Sequence, residues 1–387
     1  VSWRIIIEDF KQLYLGNKLL FKTNSYYQWI NKLKEYTIKN EIELEYWKSQ
    51  LNPGGYFPDS KSSEYSLSNF KFNLNKLTTT LLLQQANQAY NTEVNDLLLT
   101  ALSYALQSIQ EESEYQYITL EGHGRENWDE NDILDISRTI GWFTVMFPLK
   151  LNIKSTIRES IKHIKETLRK IPNKGIGFGA FKYFNIEKSM CNELSPISFN
   201  YLGQFGNEIE NQENWQMLNE FTGFNSDKEF TTKNVLDIVG SVFEGEITFA
   251  IQSKLNEQVT EKFIRSFKQS LIDITIHCVD KINSHIVEHT PSDFPTVSIS
   301  SLFLDKLENS AYENNRKITH IYPANSLQQG FIFHTLNNPD DDAYRVQFLI
   351  DYQHELNINC YKKAWELTIK TYPSLRTCFN WEETPIQ

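Results

Sequence analysis

Between residues 92 and 110 the chain sets Val94, Leu97, Leu98, Ala101, Leu102, Ala105, Leu106 and Ile109 on the helical repeat without a break. A helix with so continuous an apolar face has to be covered by other elements. Thr92 is the expected N-cap. The alternating run Tyr115-Gln-Tyr-Ile-Thr-Leu follows, reads as a strand, and leads directly into Glu121-Gly-His-Gly-Arg-Glu126. Helix, strand and a glycine-flanked carboxylate in succession predict mixed layers, α/β or α+β, rather than an all-α or all-β protein.

The rest of the chain fits that reading. Residues 1–50 are expected to be helical, and Asn52-Pro-Gly-Gly-Tyr-Phe-Pro-Asp-Ser60 a loop. Phe70 to Leu74 alternates as a strand does. Further strands are expected at 143–151 and 197–202, and 243–252 reads as two short strands or one bulged strand. A helix is expected at about 155–170, and Gly175-Ile-Gly-Phe-Gly179 as a flexible loop. Phe263, Phe267, Leu271, Ile274 and Cys278 mark one side of a long helix from Thr260 to about Lys281. Pro291 to Pro295 reads as a stop. The polar stretch Glu308–Lys317 reads as a linker, and a second unit starts near Ile318. In that unit a helix around 358–371 would turn Ile358, Tyr361, Trp365 and Thr368 inward. Tyr322, Phe331 and Phe333 read as core, and Arg376 as a structural ion-pair donor.

Composition excludes several functions. The net charge of −11 and the lack of a basic patch argue against a nucleic-acid partner. No apolar run approaches a membrane span. The four cysteines form no close pair, so neither a zinc site nor a disulfide framework is expected, and a reducing cytoplasm fits.

A carboxylate at a strand end can act as a general acid or base if desolvated, and its flanking glycines let a loop turn tightly or a substrate approach the backbone. A solvated surface loop would show the same residues. Taken alone, the motif gives His123 a hydrogen-bonded structural role and gives Arg125 the task of holding a loop by an ion pair. No histidine sits at metal spacing from His123, and no metal is expected. Gly175-Ile-Gly-Phe-Gly179 lacks nucleotide-loop spacing.

Five segments in order carry a resemblance: Asn95-Asp-Leu-Leu-Leu-Thr-Ala101, Glu121-Gly-His-Gly-Arg-Glu126, Arg138-Thr-Ile-Gly-Trp-Phe-Thr-Val-Met-Phe-Pro148, Ile171-Pro-Asn-Lys-Gly-Ile-Gly-Phe-Gly179 and Phe199-Asn-Tyr-Leu-Gly-Gln204. Through them the chain resembles epimerization domains of nonribosomal peptide synthetases, relatives of condensation domains. Ile321-Tyr-Pro-Ala-Asn-Ser-Leu-Gln-Gln-Gly-Phe-Ile-Phe-His334 and Tyr372-Pro-Ser-Leu-Arg-Thr-Cys-Phe379 resemble the opening of a condensation domain. The resemblance implies an α/β, two-lobed, chloramphenicol-acetyltransferase-like fold with its N-terminal lobe truncated. The implied organisation is 1–65 the remainder of that lobe, 66–295 the C-terminal lobe, 296–318 a linker, and 319–387 the start of a condensation domain.

The implied activity is inversion of the α-carbon of an aminoacyl or peptidyl thioester. No intrinsic cofactor is implied; the phosphopantetheine arm would be supplied by a carrier protein. Adenylation and condensation domains of the same assembly line are the other implied partners. Glu121 matches the family's catalytic glutamate, and Tyr201 a candidate proton donor or enolate partner. Asn200 is positioned to orient one of them, and Asn200, His123 and Arg125 form the implied substrate-binding set. The family's paired-histidine motif sits just before a Val-Ser-Trp segment, whereas this sequence starts at Val1-Ser-Trp3 and none of its eight histidines is paired. Its 387 residues alone are therefore expected to be inactive. Amide-forming condensation and a noncatalytic carrier-docking scaffold are the alternatives.

Overall fold

The computed structural model describes residues 1–51, 67–128, 133–184, 194–205, 232–341, 344 and 346–387, and these divide into two compact units, Val1–Val287 and Glu288–Gln387. The loop expected at 52–60 lies outside the described residues.

The first unit opens with three helices, α1 (Ser2–Tyr14), α2 (Tyr26–Lys39) and α3 (Glu43–Gln50). Ser25 caps α2 in a capping box with Gln28, and the helix buries Trp29, Leu33 and Tyr36. Next come β1 (Ser68–Asn73), a short α4 (Lys76–Thr80) and α5 (Val94–Ile109). The apolar positions that mark α5 are buried from Leu97 to Leu106. Its N-cap is Glu93 rather than Thr92: the Glu93 N–H donates to the Asp96 carboxylate at 2.7 Å, while the Thr92 hydroxyl turns back to the Asn87 carbonyl.

The strands β2 (Gln116–Gly122) and β3 (Val145–Leu151) follow, then α6 (Ile157–Arg169) and α7 (Ile176–Phe184). The glycine-rich stretch expected as a flexible loop is mostly this α7. Gly177 serves close packing: a Cβ there would lie 2.3 Å from Glu43 Oε2. A buried cluster holds the turn before it, with Tyr36 donating to Glu43 at 2.5 Å and Asn173 donating to both.

The last strands are β4 (Ile197–Phe205), β5 (Leu236–Phe243) and β6 (Glu246–Ser253), leading into α8 (Glu257–Asn283). β5 and β6 form a hairpin with a two-residue turn, so the 243–252 pattern is the end of one strand and most of the next. All six strands form one mixed sheet in the order β1-β6-β5-β4-β2-β3, with β4 parallel to β2 and β5 and the other pairs antiparallel.

One face of the sheet is the core face. Phe263, Phe267, Leu271, Ile274 and Cys278 of α8 are all buried, and the Phe267 ring lies 4.9 Å from Phe249 and 5.6 Å from Phe72. On the opposite face the alternate residues of β1, β6 and β5 stay in solvent, among them Asn69, Lys71, Ala250 and Gln252.

The second unit contains α9 (Ser301–Glu313), α10 (Ser326–Asn337) and α11 (Ile358–Thr371). The segment expected as a linker is largely helical: Ser300 caps α9, and Phe303 and Leu304 bury with Phe294, Ile299, Ile321 and Ile386. The polar run Glu308–Lys317 is the C-terminal part of this helix, which ends at Glu313, and the residues that follow it. Helix α11 has the expected limits, but its apolar face is not inward. Tyr361 is 49% exposed and Trp365 47%, and Tyr322, Phe331 and Phe333 are exposed too. Phe331 packs against Tyr344 at 4.6 Å and Tyr322 stacks on His320 at 5.8 Å, and both remain exposed. Arg376 makes no ion pair among the described residues; it donates to the Ile369 and Lys370 carbonyls at the end of α11. No helix of the described residues is long and apolar enough to cross a membrane.

Candidate active site

Strand alternation fixes where the glutamate points. Leu120 pairs with Phe199 across the parallel β2–β4 ladder, and both lie on the core face with Ile118. Glu121 and Asn200, the next residues on their strands, turn to the opposite face. Asn200 Nδ2 donates to Glu121 Oε2 at 2.5 Å. Met146, paired with Glu121 across β3, shares this face and is exposed.

Asp237 on β5 belongs to the same face. It accepts from Ser198 Oγ at 2.5 Å and from the Asn234 amide. Burial of Glu121 raises its carboxyl above the ordinary range, and the negative charge of Asp237 raises it further. The result is a half-buried carboxyl, oriented by an amide and biased toward holding a proton. A carboxyl raised in this way can serve as a general acid or base. Asp237 was not among the expected site residues. The sequence signal was present in Leu236-Asp-Ile-Val, a polar residue alternating with apolar ones on the strand beside β4.

The other expected residues take different places. Tyr201 follows Asn200 and pairs with Gly240, so the pleat sends it to the core face, where it is half-buried against the main core. The structure brings Asn200 to Glu121 and sets Tyr201 apart from both. Strand β2 ends at Gly122, and His123 lies beyond it, with Nε2 3.2 Å from Glu126 Oε1 and Nδ1 accepting from the Arg125 N–H at 3.2 Å. Arg125 does hold a loop, and among the described residues it does so through backbone oxygens rather than an ion pair. It donates to the Ile136 carbonyl at 2.7 Å and the Thr139 carbonyl at 2.8 Å, and stacks over Phe143 at 4.0 Å. Gly124 makes this turn possible: its φ is +66°, and a Cβ there would meet the Phe143 carbonyl oxygen at 1.8 Å.

The raised Glu121 carboxyl has a consequence for stability. Its folded-state value lies above its unfolded one, so its contribution is present below the ordinary glutamate range and is lost as pH rises through the folded value. Glu121→Gln keeps an oxygen for Asn200 and removes the charge beside Asp237. The variant is expected to melt above wild type at pH ~7, with the gain gone by pH ~4, where the native carboxyl is itself protonated. Thermal melts across that range test this; a gain independent of pH would show that the carboxyl does not titrate as described.

A mixed sheet of this topology with a strand-end glutamate defines a class of protein, and comparison with known proteins places the chain within it. The family model for the condensation domain matches residues 1–292 and 318–387. The chain belongs to the condensation-domain family. Two proteins of Bacillus licheniformis are similar to it: bacitracin synthase 1, 34% identical over 403 residues, and bacitracin synthase 3, 33% identical over 401 residues. Each alignment takes in 99% of this chain, but only 8% of the first relative's length and 6% of the second's. Among solved structures, the epimerization domain from the third module of tyrocidine synthetase B is similar with a TM-score of 0.64 and 29% identity, over 72% of this chain and 67% of that one. VibH, an NRPS condensation enzyme, shares the fold at 16% identity with a TM-score of 0.50, over 74% of this chain and 69% of its own.

Proposed function

We propose that the first unit is an epimerization domain of a nonribosomal peptide synthetase, inverting the α-carbon of an aminoacyl or peptidyl thioester. The observation that carries this reading is the Glu121–Asn200 pair, with its proton affinity raised on an open sheet face. The likeness to an epimerization domain at 29% identity supports it.

A thioester makes the neighbouring Cα–H only weakly acidic. Inversion therefore needs a base near that proton, stabilisation of the developing enolate oxygen, and a proton returned to the other face. Glu121 supplies the group for one face, and Asn200 holds its carboxylate in one rotamer. His123 bonds Glu126 rather than Glu121; the group for the other face is assigned to the paired-histidine motif that the resemblance implies. On this reading the 387 residues alone do not turn over. The substrate arrives on the phosphopantetheine arm of a carrier protein, in the cytoplasm, without a resident cofactor. Adenylation and condensation domains act beside it. The family match resuming at residue 318 supports reading 319–387 as the opening of a further condensation domain.

The test supplies an L-aminoacyl thioester on its carrier, in deuterated water, to the domain together with the histidine-bearing segment. Deuterium at Cα and appearance of the D form, with no amide product, is the expected result. Amide formation without exchange would replace the reading by condensation, and carrier binding without either would leave a docking scaffold. Tyr201→Phe is expected to keep exchange within about twofold of wild type, since a core-face hydroxyl contributes only packing-level effects. A loss of a hundredfold at unchanged melting temperature would return Tyr201 to the proton path.

A further inference from the structure

At the far end of the β2–β3 ladder from Glu121, between α3 and α6, lies a cavity of about 260 Å³. Lys150, Lys154 and Lys170 line it together with His163, Tyr46 and Tyr115, and no carboxylate does. None of the three lysines forms an ion pair among the described residues. The Lys150 ammonium is held 3.6 Å from the Tyr115 ring centre, and its backbone N–H donates to Gln50, another lining residue, at 3.1 Å. The Tyr46 hydroxyl is buried without a hydrogen-bond partner among the described residues. The carboxylates closest in sequence are Glu45, which pairs with Lys48, Glu114, which hydrogen-bonds Tyr115, and Glu159 and Glu166 on α6; none of these lines the cavity.

Such a lining is poorly balanced as it stands. Three like charges around one small cavity repel, and a buried hydroxyl without a partner costs free energy. His163 feels the same field: burial first, then Lys154 and Lys170, push its pKa down to about 4, which keeps the imidazole neutral. One compact group of negative charge with several acceptor oxygens would satisfy the three lysines together. A carboxylate has two oxygens for this, a phosphate three or four. We propose that this cavity is an oxyanion site that takes the phosphate group of a small phosphorylated ligand. The site is separate from Glu121 and does not depend on the epimerase reading.

Calorimetric titration of the 387-residue chain with inorganic pyrophosphate and, separately, glycerol 3-phosphate tests it, with ionic strength matched by chloride. Saturable one-to-one binding of at least one of them is expected, and the one that binds tells a free diphosphate from a phosphate ester. The Lys154→Ala/Lys170→Ala double variant should weaken binding at least about tenfold, the loss expected when charge-assisted hydrogen bonds are removed. Absence of saturable binding up to millimolar ligand, or full affinity in the folded double variant, would overturn the proposal.

Discussion

Glu121→Gln is expected to lower α-proton exchange by at least a hundredfold while leaving the fold intact. Glutamine has the shape of the native side chain and still accepts from Asn200, so the Asn200–Glu121 geometry survives. What disappears is the only group in the pair that can take a proton. General acid–base catalysis contributes typically 10²–10⁴-fold, which sets the scale of the loss. The same variant should melt above wild type at neutral pH, because it removes a desolvated charge from beside Asp237. Activity and stability moving in opposite directions are the signature of a carboxylate kept for chemistry at a cost to the fold. Deuterium incorporation into the carrier-bound thioester, followed by mass spectrometry, makes the measurement. Exchange at the wild-type rate would remove Glu121 from the mechanism.

Arg169→Ala is expected to cost about 3–5 kcal/mol of folding stability, a large share of a margin of roughly 5–15 kcal/mol. Asp96, fully buried at the start of α5, receives both arms of the Arg169 guanidinium, at 3.0 and 2.8 Å. Burial pushes the Asp96 carboxyl up, and Arg169 opposes that push. With the arginine gone, only the Glu93 N–H still bonds the carboxylate, and a buried charge is left without a counter-ion. Arg169→Lys should recover only part of the loss, because an ammonium cannot match both oxygens at once. Urea unfolding reads the effect as a lower midpoint at unchanged slope. A change below about 1 kcal/mol would mean that Asp96 is solvated or neutral in the folded protein.

The pair Asp96–Arg169 also shows how a correct local reading can miss an interaction. Asn95-Asp-Leu-Leu lies in the expected helix at 92–110, and a second helix was expected at about 155–170. That the last turn of one would reach the first turn of the other depends on how α5 and α6 pack, and neither pattern encodes that. The stretch 175–179 failed for a different reason. Three glycines in five residues lower helix propensity, but the space between α2, α3 and α7 admits no Cβ at Gly177, and packing overrides propensity there. In the second unit Ile358, Tyr361, Trp365 and Thr368 of α11 were expected inward and are not: periodicity says only which residues share a face, never what covers it.

By itself the sequence determined the local elements: the buried α5, the aromatic face of α8, the period-two strands, and the carboxylate that closes β2. Those follow from backbone geometry, since a residue's face on a helix or strand is fixed by its position in the repeat. Only the tertiary structure decided which of these residues share a site. Asn200 meets Glu121 because β4 lies parallel to β2 with Phe199 opposite Leu120, and Asp237 joins them because β5 pairs on the other side of β4. Tyr201, one residue from Asn200 in the same motif, faces the core. The pleat has a period of two, so neighbours in sequence part to opposite faces, while residues 79 apart come within a hydrogen bond once their strands are in register.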